Sequence, residues 1–233
     1  MSTDGIWLSD GTVQWLKDFL VDWYGGRSAG YGCPDADLPA SLPSALRDLY
    51  AFAGQWPCRD PEEHLPASPM IFQHQDVLVR AADLSASGGT IDFLSENQDS
   101  WTCRVAASAD SSAVFSNAHW MWDDVDMDDY VELAPTLEHF LTSFVLQETV
   151  MGCRNLVVAD DEAAPAVSGL TDRATPLWLH GWYVFDEPTH SFWQSGPFLL
   201  AEITGTRWIG WNDVSARLPD AASDWRRIRT GGI

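Results

Sequence analysis

The stretch Gly88–Val105, GGTIDFLSENQDSWTCRV, decides how the chain is read, because its two ends alternate like strands and its middle does not. Ile91, Phe93 and Leu94 form one apolar run, while Trp101, Cys103 and Val105 alternate with Thr102 and Arg104 in the other. A period of two is the mark of a half-buried strand. Between the runs, Ser95-Glu96-Asn97-Gln98-Asp99-Ser100 consists of side chains that hydrogen-bond turn backbone. This polar corner is longer than a tight hairpin requires, so it is either a solvated turn or a set of side chains offered to a partner.

Upstream, residues 12–24 place Val13, Trp15, Leu16, Phe19, Leu20 and Trp23 in a helical rhythm closed by Gly25-Gly26. Leu42–Gly54, LPSALRDLYAFAG, predicts a second helix with Pro43 near its first turn and Gly54 as its stop. Pro57, Pro61, Pro66 and Pro69 rule out a long regular element next, and Ile71–Arg80 reads as a strand or a short strand with a turn. Downstream, Ala113–Ser116 and Tyr130–Ala134 read as short strands. Leu137, Phe140, Leu141, Phe144 and Val145 mark the clearest helix of the chain, between Pro135 and Gly152. Asp160–Ala174 is polar and connector-like. Leu177–Phe185 and His190–Gln194 flank a turn at residues 186–189 and predict a hairpin; Phe198–Ile203 and Trp208–Trp211 add two apolar runs. Trp225–Ile233 reads as a mildly basic, peripheral tail. The expected fold is α+β: a mixed, mostly antiparallel sheet packed against helices, with a β-rich C-terminal extension. In residue terms this is an α+β domain over 1–155, a connector over 156–174 and an extension over 175–233 packed on the same domain.

Charge narrows the function classes. Among 233 residues, 34 are acidic and 13 basic, a net charge of −21 that repels phosphate backbones and anionic headgroups. Nucleic acid and membrane surfaces are therefore unexpected partners, and a basic protein is the expected one; the alternative is that the acidic surface serves solubility. The 13 tryptophans are each large enough to demand a core or a contact surface. No apolar run reaches membrane-spanning length, and residues 1–10 lack the basic-then-apolar order of a secretion signal, so the expected location is cytoplasmic. Cys33, Cys58, Cys103 and Cys153 are widely spaced and read as free thiols.

No phosphate-binding loop, dinucleotide fingerprint, nucleophile elbow or H-E-x-x-H string is present. The six histidines are scattered, and His139 sits near a helix start, where a cap or surface role fits better than ligation. The acidic run Asp123, Asp124, Asp126, Asp128 and Asp129 resembles a calcium loop only superficially: counted from Asp124, the sixth position is Asp129 rather than Gly and the twelfth is Pro135 rather than a carboxylate. Beside Trp120, Met121 and Trp122 it has the composition of a contact surface, aromatic anchors with charges for steering; the alternative places the aromatics in the core and leaves the acids solvated. Glu96 with Asp99 is a conceivable acid and base pair, but no nucleophile, base and orienter assemble around it. The expectation is a protein without catalysis, metal or cofactor, whose partner-binding residues are Glu96, Asn97, Gln98, Asp99, Trp101, Trp120, Trp122, Asp123, Asp124, Asp126, Asp128 and Asp129.

Taken together, the N-terminal helix, the Leu42–Gly54 pattern LP-x-x-L-x-x-L-Y-x-x-x-G, the strand ending in Glu96-Asn97-Gln98 with Trp101 beyond it, and the helix with Leu137, Phe140 and Leu141 resemble the SUKH superfamily, the Smi/Knr-like proteins, over residues 12–152. The resemblance implies an α+β fold and a binding module. Many bacterial members are immunity proteins that neutralise toxins, often nucleases, and fungal relatives are scaffolds in cell-wall signalling. The expected partner is thus a basic toxin domain, bound directly. The alternative is an intracellular scaffold or regulatory protein. The long Pro-rich segment after Gly54 and the β-like tail after Gly169 depart from the family pattern.

Overall fold

The computed structural model describes residues 12–58, 70–108, 113–121, 123, 126–159, 171–185, 187–218 and 225–229. Helix α1 (Val13–Tyr24) begins where the Thr12 hydroxyl accepts the Trp15 amide and ends at Gly25, whose φ of 77° is the left-handed turn that closes a helix. Helix α2 (Ser44–Ala53) follows Pro43 and stops at Gly54. Their apolar stripes, with Leu16, Phe19 and Leu20 on one and Leu46, Leu49 and Tyr50 on the other, are buried.

Strands β1 (Asp76–Leu78), β2 (Ala86–Ser87), β3 (Thr90–Glu96), β4 (Thr102–Ala106), β5 (Val114–Ser116) and β6 (Val131–Ala134) form a first sheet in the order β1-β3-β4-β5-β6, with β2 also on β3. The stretch quoted at the outset is thus the β3–β4 hairpin: Ile91, Phe93 and Leu94 face the core from one strand, Cys103 and Val105 from the next. Of the expected strand Ile71–Arg80, only Asp76–Leu78 joins the sheet, because the backbone at His74 to Asp76 turns to bond a helix side chain instead.

Helix α3 (Leu137–Met151) is the centre of the molecule, and apart from Glu138 and His139 all of it is buried. Phe140 meets Phe93 edge to face at 5.6 Å and stacks on Tyr183 at 5.1 Å, while Phe144 packs on Phe72 at 5.7 Å. A helix buried on every side must satisfy its polar side chains internally. The Thr142 and Thr149 hydroxyls donate to carbonyls one turn back, and Ser143 accepts the Trp178 indole N–H. Gly152 ends the helix where a Cβ would strike the His74 ring.

Strands β7 (Asn155–Ala159), β8 (Thr175–Gly181), β9 (His190–Ser195), β10 (Phe198–Ile203), β11 (Thr206–Trp211) and β12 (Arg226–Arg229) form a second sheet in the order β12-β7-β11-β10-β9-β8, antiparallel throughout. The α+β class is as expected, with the β content divided between two sheets. Two details differ from the sequence reading. Residues 156–159, read as the start of a connector, complete β7; and the tail is not peripheral, since Trp225 is buried and residues 226–229 pair with β7. Connector residues 160–170 lie outside the described residues, and 171–174 lead into β8. One hydrophobic cluster runs from α1 through both sheets to Phe192, Leu199 and Ala201, so the C-terminal strands share the core of the N-terminal unit. A smaller cluster of Val157, Leu200, Ile209, Trp211 and Trp225 covers the outer face of the second sheet. The four cysteines are free thiols, with Cys33, Cys103 and Cys153 buried.

Candidate functional site

The two stretches that composition marks as contact surface are joined by hydrogen bonds. Asn117, itself buried, accepts the Thr102 amide at 2.8 Å and donates to the Met127 carbonyl at 2.9 Å, so one amide side chain ties β4 to the acidic segment. The Trp120 indole N–H donates to the Ser100 carbonyl at 2.8 Å, and the Thr102 and Tyr130 hydroxyls pair at 2.6 Å. The polar corner and the acidic segment therefore make one surface. Trp120, Met121 and Met127 are exposed on it, and Trp120 is the one exposed tryptophan among the described residues. Around them Asp99, Asp123, Asp126, Asp128 and Asp129 are also exposed, and among the described residues no lysine or arginine pairs with any of them. Arg104, on the neighbouring strand, is engaged by Asp92 at 2.9 Å and lies over the Tyr130 ring.

Beside this surface a cavity of about 420 Å³ opens between the two sheets. The corner supplies one wall through Glu96, Gln98, Ser100 and Trp101; Met121 joins it to the exposed patch; Val184, Phe185, Ile203, Thr204 and Trp208 of the C-terminal half form the opposite wall. Thr204 holds a positive φ of 50° in the two-residue turn with Gly205 that aims this wall, and its amide is fixed by the Thr189 carbonyl at 3.1 Å. The inner end is polar. Gln147 donates to Asp76 Oδ2 at 2.9 Å and faces His190 Nε2 at 3.0 Å through its own oxygen, His190 Nδ1 meets the Thr189 hydroxyl at 2.9 Å, and the Tyr183 hydroxyl also donates to Asp76 Oδ2.

Burial sets the protonation of this group. Asp76 is pushed up to about 7, first by desolvation and further by the charge of Glu96, which stands directly opposite it across β1 and β3. Glu148, one residue on from Gln147, is also pushed upward by burial and by Asp76. His190 is lowered to about 3 by burial and stays neutral. The Tyr183 phenol is raised by burial and by Asp76, so it remains a donor.

Of the residues singled out in the sequence, Glu96, Gln98 and Trp101 line the cavity, whereas Asn97 and Asp99 point to open solvent from the corner. Trp101 is buried against Tyr183 as cavity wall rather than standing free. Trp120, Asp123, Asp126, Asp128 and Asp129 lie on the exposed patch; Trp122 and Asp124 lie outside the described residues. Glu96 does not pair with Asp99: its Oε2 accepts the Gln98 and Ser100 amides and so shapes its own corner. Sequence reasoning missed Asp76, Gln147, Tyr183 and His190. The available signal was polar residues inside apolar runs, Asp76 before Val77-Leu78-Val79 and Gln147-Glu148 within the most apolar helix. In comparisons with protein-family models, curated proteins and solved structures, the chain matches none. Among the described residues, no helix is long and apolar enough to cross a membrane.

Proposed function

We propose that this protein is a non-catalytic, cytoplasmic binding module of the immunity type, which neutralises a basic toxin domain by covering its working surface. The observation that carries the reading is the joining of the β3–β4 corner to the Trp120–Tyr130 segment through Asn117 and the Trp120 indole. That joining creates a continuous face with exposed Trp120, Met121 and Met127 among exposed carboxylates that no lysine or arginine of the described residues pairs. Large, adaptable apolar side chains supply burial, and the acids steer a cationic partner and select against anionic ones. A nuclease is a fitting target, because it must present positive charge to bind phosphate, and a net charge of −21 complements it. The SUKH resemblance points the same way.

The test is co-expression and co-purification with the products of genes adjacent to this one, at low and moderate salt. The expected result is a basic partner whose toxicity disappears on co-expression and whose capture weakens with salt. Charge reversal of Asp123, Asp126 and Asp128 together abolishes that capture. A toxin captured equally well by the reversed variant overturns the assignment of the surface, and an endogenous partner with no toxicity transfers the protein to the scaffold reading.

A further inference from the structure

Two features of the cavity are not explained by folding. Asp76 and Glu96 are direct cross-strand partners on adjacent antiparallel strands, so two carboxyl side chains emerge side by side on one face, an arrangement that is repulsive when both are ionised and that a cation between them relieves. In addition, Asp76 is only 2% exposed, yet both of its donors, Gln147 and Tyr183, end on Oδ2. Among the described residues Oδ1 receives no hydrogen bond, and it is not sealed from the cavity. A carboxylate oxygen that opens on a cavity and receives no donor from the described residues is free to accept one from a ligand that enters.

We infer that the cavity is a socket for one arginine side chain of the protein partner, its guanidinium lying between Asp76 and Glu96 and its stem along Trp101, Val184 and Trp208. The inference rests on reading the adjoining surface as a partner interface. A guanidinium carries several donors in a planar fork, enough for Asp76 Oδ1 and Glu96 together, and is weakly hydrated enough to enter a half-closed site. The apolar walls suit an aliphatic stem, and a cavity of about 420 Å³ has room for both parts. Met121 lies both on the rim of the socket and on the exposed patch, so one partner surface reaches both at once.

The groups that face Asp76 are Glu96 on β3, Glu148 on α3, Tyr183 after β8 and, on β4, the Cys103 thiol; His190 on β9 is neutral and reaches it through Gln147. Among these described groups none is cationic. An entering cation therefore meets no resident competitor, and it favours the ionised form of Asp76, so its binding weakens as the pH falls through about 7.

The probe is the tripeptide acetyl-Gly-Arg-Gly-amide, followed through the indole N–H signals of Trp101 and Trp208 in proton–nitrogen correlation NMR of the full chain. Saturable shifts are expected at about millimolar peptide, absent with the citrulline tripeptide and reduced about ten-fold in affinity by Glu96→Gln. Asp76→Asn is expected to act at least as strongly; Glu96→Gln keeps the inference testable if that variant fails to fold, because a glutamine oxygen still accepts the Gln98 and Ser100 amides. Equal shifts with citrulline, no saturable shift, or tighter binding of spermidine than of the arginine peptide overturns the inference, the last by assigning the socket to a free polyamine. Reversal of Asp123, Asp126 and Asp128 together should leave tripeptide affinity within about two-fold while abolishing partner capture. A partner that is lost on patch reversal but indifferent to Glu96→Gln overturns the socket and leaves the immunity reading standing. Tripeptide binding without any toxin partner does the reverse.

Discussion

Asp76 and Glu148 are two carboxyls buried in one network, and they are treated in opposite ways. Glu148 uses both oxygens: the amides of His74, Gln75 and Asp76 converge on them at 2.6 to 3.2 Å, leaving a side chain wholly inside the protein and wholly engaged. Asp76 crowds its two donors onto one oxygen and leaves the other at the edge of a cavity. Burial is nearly the same for both, so burial does not distinguish a carboxyl that builds the fold from one that waits for a ligand. Completeness of hydrogen bonding does. Glu148 fastens the turn before β1 to the central helix; Asp76, at the end of the same turn, is the group this fastening positions.

The largest expected effect tests the first half of the contrast. Glu148→Ala strips the acceptor from three consecutive amides, those of half-buried His74, exposed Gln75 and buried Asp76, and removes a wholly buried side chain, so urea denaturation should show a loss of about 3 to 5 kcal/mol. Asp76→Ala, which frees only the Gln147 and Tyr183 donors, should cost clearly less. Equal losses would break the comparison. Gly152→Ala sharpens it from another side. Its Cβ collides with the His74 ring, pushing the fastened turn off Glu148, and a loss of about 1 to 3 kcal/mol is expected although no donor to the Glu148 carboxylate is substituted.

The second half has a pH signature. Asp76 is raised from an ordinary value of 3.8 to about 7, so the folded state holds its proton more tightly than the unfolded chain. Its burial therefore costs nothing below the ordinary carboxylate range; the cost grows as the pH rises from 3.8 to about 7 and is constant above that. Asp76→Asn abolishes the slope, so the variant should gain relative to the parent between those limits and keep a fixed difference at higher pH. His190, lowered from 6.5 to about 3, contributes an opposite slope, with stability lost as the pH falls below 6.5, and it does so in parent and variant alike. The measurement is urea denaturation of both proteins across that range. A difference between them that does not move with pH sinks the account of Asp76.

Legibility in the sequence followed the same division. The helices α1, α2 and α3 and the β3–β4 hairpin were readable because each repeats one simple period between recognisable stops, as in the run from Val13 to the Gly25 cap. Composition singles out the corner at Glu96 and the segment at Trp120 as candidate contact residues; that Asn117 ties the two together is not legible, because a lone asparagine carries no pattern. The socket was illegible for a stronger reason. Asp76, Gln147, Tyr183 and His190 come from four separate elements, and their meeting depends on the second sheet closing over α3. Trp225 escaped similarly: a short basic tail gives no sign that it will pair with β7.

The smallest expected stability effect separates the exposed surface from the buried network most sharply. Trp120 is 37% exposed and its one polar contribution is the indole bond to the Ser100 carbonyl, an interaction at the edge of solvent. Trp120→Phe therefore should lower stability by only about 0.5 kcal/mol, since water replaces the lost partner. Partner capture responds differently. The bond ties the patch to the corner, and the ring is the one exposed tryptophan among the described residues, so Trp120→Ala should weaken a captured toxin by about 2 kcal/mol or more, read as dissociation rate by surface plasmon resonance. Glu148→Ala is expected to show the inverse pairing, a large cost in folding and none at the interface once the remaining folded fraction is counted. If Trp120→Ala instead unfolded the protein, the ring would belong to the core, and the exposed carboxylates near it would be left without an anchor.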